Sequence, residues 1–231
     1  MNTGAEDVNS CSSPGSASPS WLRVGFWACT LIAVTVVVRR MIALEFPSPS
    51  GPPQLVQLDR IFASHSTLTM AHILPALAFV LLAPFAIFRR FSRVGWPERW
   101  LFPLGGMVGI TAYAMSVYSI GGWIERSAVL FFNSLFLFSL ARAWLYRVRG
   151  QPALKMRWLM RAVGILLGIA TTRPVMGIFF ATTPFTHLGP RQFFGVAFWI
   201  GFLINWIVVE CWLRFKDRSA RAGTLATLQN K

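Results

Sequence analysis

Acidic residues and cysteines are scarce in this sequence. Only 8 of its 231 residues are Asp or Glu, against 22 Lys or Arg, and charged residues together make up 13%. That share is about half of what an ordinary soluble domain carries, and so few carboxylates argue against an acidic metal or hydrolase cluster. The 3 cysteines show no CxxC or Cys/His spacing, which argues against a disulfide scaffold or a zinc site. We therefore predict no metal site.

Long apolar runs dominate the chain instead. Hydrophobic residues make up 55% of it, and a helix that crosses a bilayer needs about 20 mostly apolar residues. We predict an all-α membrane protein, a bundle of six transmembrane helices. The predicted spans are 21–38, 65–88, 101–120, 127–146, 158–180 and 192–213.

The spans leave room for a single transmembrane domain, residues 21–213. Residues 1–20 are rich in Ser, Gly and Pro and are predicted to be a disordered N-terminal tail. Residues 214–231 are predicted to be a basic cytoplasmic C-terminal tail. The N-terminal segment lacks the basic start and the A-x-A cleavage pattern of a signal peptide, so we expect the first helix to be retained.

Basic residues alternate between the two sides of the predicted bundle. With the N-terminus inside, 15 Lys or Arg fall on the cytoplasmic side and 5 on the other. Both termini are therefore predicted to be cytoplasmic, in a multi-pass protein of the bacterial inner membrane. The exception is the pair Arg39-Arg40, at the outer end of span one. We attribute the net charge of +14 to topology and to anionic lipid headgroups, and expect no nucleic acid partner.

A few polar residues inside the spans are the candidate functional residues, because charge in a bilayer needs a partner or a cavity. His72 lies seven residues after the start of span two, and Arg173 seven residues before the end of span five. Both are therefore about 10 Å below the outer surface. With Asn205 they predict a ligand pocket between spans two, five and six. In the alternative, Arg173 bonds to backbone carbonyls and His72 to a hydroxyl such as Thr69.

Two further charges are expected to be structural. Arg161 and Glu210 lie at similar depth near the inner surface, which predicts an ion pair between spans five and six. His65 and His187 fall on the outer side with His72, but their spacing matches no metal site, so we expect them to be solvated. Glycines one turn apart, Gly105 with Gly109 and Gly164 with Gly168, predict close helix packing.

The sequence between residues 70 and 214 also resembles a known family. The stretches that carry the resemblance are AHILPALAFVLLAPF, ERWLFPLGG, ARAWLYRVRG, KMRWLMRAVG, TTRPV and NWIVVECWLR. They resemble uncharacterised bacterial multi-pass membrane proteins grouped as a domain of unknown function (number twenty-three-zero-six). The resemblance implies that five residues match the family pattern, namely His72, Arg161, Arg173, Asn205 and Glu210. Glu98 and Lys155 stand where the family has histidines, which disfavours a histidine-ligated haem.

No catalytic motif is present, so the leading hypothesis is a non-enzymatic membrane protein. It would be an accessory subunit or a small-solute carrier that binds a small anionic or quinone-like ligand, with the lipid bilayer as its partner. No cofactor is expected, since haem b would need a second intramembrane histidine beside His72. Two alternatives stay open: a membrane redox protein linked to haem or quinone, and a membrane-embedded enzyme acting on lipid or quinone. The oligomeric state is not predicted.

Overall fold

The structure, a computed structural model, describes residues 20–46, 63–88, 96–187 and 189–229. This part of the chain is helical and contains no β-strand, which confirms the predicted all-α class. The helices are α1 Ser20–Glu45, α2 Ser66–Ile87, α3 Trp96–Ser116, α4 Gly122–Val148, α5 Pro152–Leu166, α6 Gly168–Thr186 and α7 Pro190–Gln229.

Five helical segments in the described ranges are long and apolar enough to cross a membrane. They are Ser20–Glu45, Ser66–Ile87, Gly122–Val148, Pro152–Thr186 and Gln192–Ser219. By length and composition the chain is therefore a multi-pass membrane protein. The predicted span 101–120 corresponds to α3, which has 21 residues but is less apolar, since it contains Glu98, Arg99 and several glycines. The count of six spans stays a prediction.

Several helix ends differ from the predicted boundaries. Helix α1 continues past residue 38 to Glu45 because the apolar residues after Arg39-Arg40 extend it. Predicted span five is divided into α5 and α6 at Leu167; Gly168 follows at once, and glycine is a weak helix former. Helix α7 runs to Gln229, through most of the predicted tail 214–231. Residues 1–19 of the predicted disordered tail lie outside the described residues.

Aromatic side chains fill the centre of the bundle. Helix α4 packs against α3, α5 and α7, and α2 packs against α3. Phe79 of α2 and Phe136 of α4 are almost fully buried, and their rings meet edge to face at 5.7 Å. Phe132 stacks on Phe202 of α7 at 5.1 Å. Since ring pairs add specific attraction to their buried area, these contacts hold α2, α4 and α7 together.

The predicted glycine pairs lie where helices cross. A methyl group on Gly105 of α3 would come within 2.6 Å of Leu140 of α4. A methyl group on Gly164 of α5 would come within 2.5 Å of Val209 of α7. The second glycine of each pair is equally crowded. These helices approach closely because the glycines leave room for large neighbouring side chains.

Helix α1 lies at the edge of the bundle. Its buried residues are Thr30, Ala33 and Arg40, and it packs against α2 and α6. Large apolar side chains cover the outside of the bundle; examples are Trp21, Val24, Leu31, Ile110, Trp123, Phe131 and Phe138. Such a surface is expected where lipid, rather than water, surrounds the helices.

The two ends of the bundle are named for the predicted topology. The outer end holds the connection between α3 and α4, residues 117–121, and the inner end holds the connection between α4 and α5, residues 149–151. Helix α1 ends and α2 begins at the outer end. Polar residues near α1's C-terminus, α2's N-terminus and α4's N-terminus therefore meet at the same end of the molecule.

Candidate ligand-binding site

A cavity of about 250 Å³ lies toward the outer end, and all seven helices contribute to its wall. Most of the lining side chains are apolar. Its polar lining residues are Arg40, Thr69, His72, Ser116, Tyr118, Ser119, Glu125, Asn133 and Arg173. Pockets for drug-sized ligands typically measure about 300–1,000 Å³. The cavity therefore has the size for a small molecule or for the head of a larger amphipathic one.

His72 is oriented by a threonine on the neighbouring helix. Its Nδ1 lies 2.9 Å from Oγ1 of Thr111 in α3. That hydroxyl oxygen is 2.7 Å from the Met107 carbonyl and 3.1 Å from the Val108 carbonyl. A threonine hydroxyl carries one hydrogen, and in a helix it is usually donated to the preceding turn. His72 Nδ1–H is therefore the donor to Thr111.

This tautomer decides what His72 offers to a ligand. In a neutral imidazole, a protonated Nδ1 leaves Nε2 as an acceptor. His72 lines the cavity, so it supplies an acceptor to that wall. Thr69, the partner suggested from the sequence, is replaced by Thr111 because the ring points from α2 toward α3 rather than along its own helix.

Arg173 of α6 is the least satisfied charged residue of the cavity wall. Its Nε is buried and has no hydrogen-bond partner among the described residues. Arg39, Arg40 and Glu125 are close enough to interact with it electrostatically. A buried donor that is left unpaired costs about 1–3 kcal/mol, and more when it is charged. The Arg173 side chain is thus held in place with hydrogen-bonding capacity left over.

Glu125 is held at the N-terminus of α4. Its Oε2 accepts a hydrogen bond from the Gly121 backbone N–H at 2.6 Å, which satisfies one of the free donors at that helix end. Gly121 itself packs tightly on α7, since a methyl group there would come within 2.8 Å of the Gly195 nitrogen. The carboxylate is therefore fixed by backbone on one side of the cavity, facing the region of Arg173.

Besides Thr69, six polar lining residues were not predicted as site residues, and Arg40, Glu125 and Asn133 are the most informative of them. Arg40 and Glu125 fell outside the predicted limits of spans one and four, residues 38 and 127. The sequence offered a signal for each of them. Apolar residues continue after Arg40, and Glu125 lies just before an apolar run, so both could have been placed within longer helices. Asn133 was overlooked as a polar residue within a span; its Nδ2 donates to the Gly109 carbonyl at 2.9 Å.

Asn205 was predicted to share a pocket with His72 and Arg173, but it is not among the residues that line the cavity. Its Oδ1 accepts a hydrogen bond from Oγ1 of Thr171 at 3.0 Å. Thr171 and Arg173 are two residues apart on one helix, so their side chains point about 200° apart. Asn205 therefore contacts the face of α6 that is turned away from Arg173, and it joins α6 to α7.

Arg161 of α5 and Glu210 of α7 form an ion pair that joins the two helices. Arg161 donates through Nε to Oε2 at 2.9 Å and through Nη2 to Oε1 at 3.2 Å, the two-pronged geometry that arginine and carboxylate favour. Arg214, one turn further along α7, lies 3.3 Å from the same carboxylate. Both members of the pair thus have hydrogen-bond partners, as a structural contact requires.

Three more ion pairs join helices at the inner end. Glu98 of α3 accepts two hydrogen bonds from Lys155 of α5, at 2.9 and 3.0 Å, and Arg147 of α4 lies 3.5 Å away. Arg157 of α5 donates to Asp217 of α7 at 2.5 Å. Glu98 and Lys155 are the two positions at which the sequence departs from the pattern of the resembled family, and they contact each other directly.

The other two histidines do not join the cavity wall. His65 packs against the ring of Tyr118, with 3.8 Å between centroids, and its Nδ1 lies 2.9 Å from Ser64 Oγ. His187 is exposed at the end of α6. In the described part of the chain, no group of three or more His, Cys, Asp or Glu side chains could hold a metal ion.

Comparison with known proteins gives no match: no family model, curated protein or solved structure is similar to this chain. The resemblance noted in the sequence stays a prediction.

Proposed function

We propose that the protein is a six-span integral membrane protein with both termini in the cytoplasm, and that its cavity binds a small amphipathic ligand. In this role it acts as a carrier or an accessory subunit rather than as an enzyme. The observation that carries the proposal is the buried, unpaired Nε of Arg173 at the wall of a mostly apolar cavity. A ligand oxygen would supply the missing acceptor.

The other polar groups of the wall narrow the ligand class. Arg173 offers donors, and His72 offers an acceptor at Nε2 because its Nδ1–H is used by Thr111. The surrounding wall is apolar, which suits a hydrocarbon or ring system rather than a sugar or nucleotide. A molecule with a carboxylate or quinone oxygen at one end and an apolar body meets all three conditions.

Binding is tested with two probes, decanoate and decylubiquinone, on the protein purified in detergent. Arg173→Gln should weaken binding by about 10- to 100-fold, because a hydrogen bond to a charged group contributes about 1.5–3 kcal/mol and 1.4 kcal/mol corresponds to tenfold. Isothermal titration calorimetry provides the affinities. Decanol, which has the same chain without the acidic head, should bind no more weakly to the variant than to the wild type.

Arg126→Gln is the matched control. Arg126 also has a buried Nε without a partner among the described residues, but it lies over the Trp123 ring at 5.0 Å and is not a lining residue. Its substitution should leave both affinities unchanged. Equal binding of both probes to wild type and Arg173→Gln would contradict the proposal.

The topology is tested by cysteine labelling in a background without the three native cysteines. Single cysteines replace Ser92, Val117 and Gln151, which lie between α2 and α3, between α3 and α4, and between α4 and α5 in the sequence. If α3 crosses the membrane, a membrane-impermeant maleimide labels only the cysteine at 117 in intact cells. Labelling at both 92 and 117 would show that α3 does not cross.

A further inference from the structure

Arg142 is a half-buried cation at the inner end of the bundle. It lies on α4 among aromatic rings: its Nη2 donates to the Tyr146 hydroxyl at 2.7 Å, and its guanidinium carbon is 5.0 Å from the Tyr146 ring centroid. Its Nε is buried and has no hydrogen-bond partner among the described residues. The aromatic contacts therefore leave part of its donor capacity unused.

The acids of the inner end are already engaged with other cations. Glu98 is bound by Lys155 and Arg147, Asp217 by Arg157, and Glu210 by Arg161 and Arg214. Within the described ranges, Arg142 has no carboxylate partner. Its partners among these residues are two ring faces and the Tyr146 hydroxyl, which are neutral and attract a cation much less strongly than an anion does when both are removed from water.

A second guanidinium shares the same aromatic side chain. Trp158 of α5 lies 5.3 Å from the Arg142 guanidinium carbon and 4.6 Å from that of Arg161, measured to the ring centroid. The charge of Arg161 is already compensated by Glu210, whereas Arg142 has no such partner in the described ranges. An anion placed beside Arg142 would therefore compensate the one guanidinium at this indole that the acids leave unpaired.

The depth of Arg142 matches the headgroup region of a bilayer. It lies six residues before the end of α4 at Val148, or about 9 Å along the helix from that end. Trp144, one turn from the end of α4, is exposed on the outside of the bundle, as tryptophans at the membrane interface usually are. A lipid phosphate at this level could reach the guanidinium from the side.

We propose that Arg142, which lies against the rings of Tyr146 and Trp158, forms a binding site for the phosphate of an anionic phospholipid at the junction of α4 and α5. Arginine suits this ligand because its planar donors pair with phosphate oxygens. Basic sites between membrane helices at this level favour anionic headgroups. The site is separate from the cavity at the outer end and does not depend on the ligand proposed there.

The test compares lipids that differ only in headgroup. Delipidated protein in detergent receives dioleoyl phosphatidylglycerol or dioleoyl phosphatidylcholine, and its unfolding temperature is measured. Phosphatidylglycerol should raise the unfolding temperature of the wild type more than phosphatidylcholine does, and Arg142→Gln should abolish that difference. Arg149→Gln removes an exposed arginine at the same end and should retain it.

Two results would overturn the proposal. One is an equal response of wild type and Arg142→Gln to phosphatidylglycerol. The other is an equal rise produced by inorganic phosphate, which would indicate a site for the free ion instead of a lipid. If Arg142→Gln does not fold, photocrosslinking of the wild type decides: phosphatidylglycerol with a diazirine headgroup should label peptides within residues 142–161, and labelling only elsewhere refutes the site.

Discussion

The charged residues at the inner end of the bundle and those in the cavity wall differ in how they are paired. At the inner end, Glu98, Glu210 and Asp217 each contact at least one cation from another helix. In the cavity wall, Arg173 and Glu125 interact only at longer range, and the Arg173 Nε is unpaired among the described residues. Charge that is paired across helices can hold a bundle together, whereas unpaired charge beside a cavity is free to bind a ligand.

We therefore expect different residues to determine the stability of the bundle and the binding of a ligand in the cavity. Substitutions at the inner end should lower the free energy of unfolding and leave probe binding unchanged. Substitutions at Arg173 should weaken probe binding at least tenfold and have little effect on stability.

The largest loss is expected for Arg161→Leu. It leaves Glu210 half-buried with only the exposed Arg214, at 3.3 Å, so the free energy of unfolding should fall by about 1–3 kcal/mol. Thermal unfolding in detergent measures the loss. The double variant Arg161→Leu with Glu210→Leu should recover most of it, because apolar residues can replace a buried pair at little cost. A double variant as unstable as the single one would contradict the pairing argument.

A smaller loss is expected for Lys155→Ala. The Glu98 carboxylate keeps Arg147 at 3.5 Å, a partner that is much less exposed than the Arg214 left to Glu210, so the loss should be about 0.5–1.5 kcal/mol. The same unfolding measurement, repeated at high salt, should show the difference from wild type shrinking. A loss larger than that of Arg161→Leu would mean that the α3–α5 contact, rather than the α5–α7 contact, organises the inner end.

Asn205→Leu should cost still less, about 0.6 kcal/mol, which is the average contribution of a hydrogen bond between membrane helices. It breaks the bond from Thr171 without changing the cavity wall. Decanoate should therefore bind the variant with wild-type affinity. Weakened decanoate binding with unchanged stability would return Asn205 to the binding site predicted from the sequence.

Arg173→Met should have the smallest effect on stability, with no measurable loss, because an apolar side chain replaces a buried charge that has few partners. Glu125 keeps its bond to the Gly121 N–H. Decanoate binding should nevertheless weaken at least tenfold. If the variant is destabilised as much as Arg161→Leu, Arg173 is a structural residue of the bundle. The proposed difference between the cavity wall and the inner end would then be wrong.

The positions of the helices could be predicted because they depend on local properties of the sequence. An apolar run of about 20 residues is a strong signal, and residue counts along a helix convert directly into depth, which is why His72 and Arg173 were placed at the same level. They line one cavity. Span three was predicted like the others, but α3 is not among the five segments that are long and apolar enough to cross a membrane.

Contacts between helices were harder to predict, because they depend on which face each helix turns inward. Depth alone placed Asn205 near the pocket, but its side chain contacts Thr171 on the far face of α6. The contact between Glu98 and Lys155, 57 residues apart, needs the packing of α3 near α5. Arg40 and Glu125 were missed because hydropathy sets span limits at the first charge, while the helices continue past it.

The most direct test of the account is the ¹⁵N–¹H resonance of the Arg173 Nε, identified by its loss in Arg173→Gln, during titration of the detergent-solubilised protein with decanoate. The account predicts that this resonance shifts with saturation while the Arg126 and Arg161 Nε resonances stay in place. Saturable binding of decanoate that leaves the Arg173 resonance unmoved would contradict it.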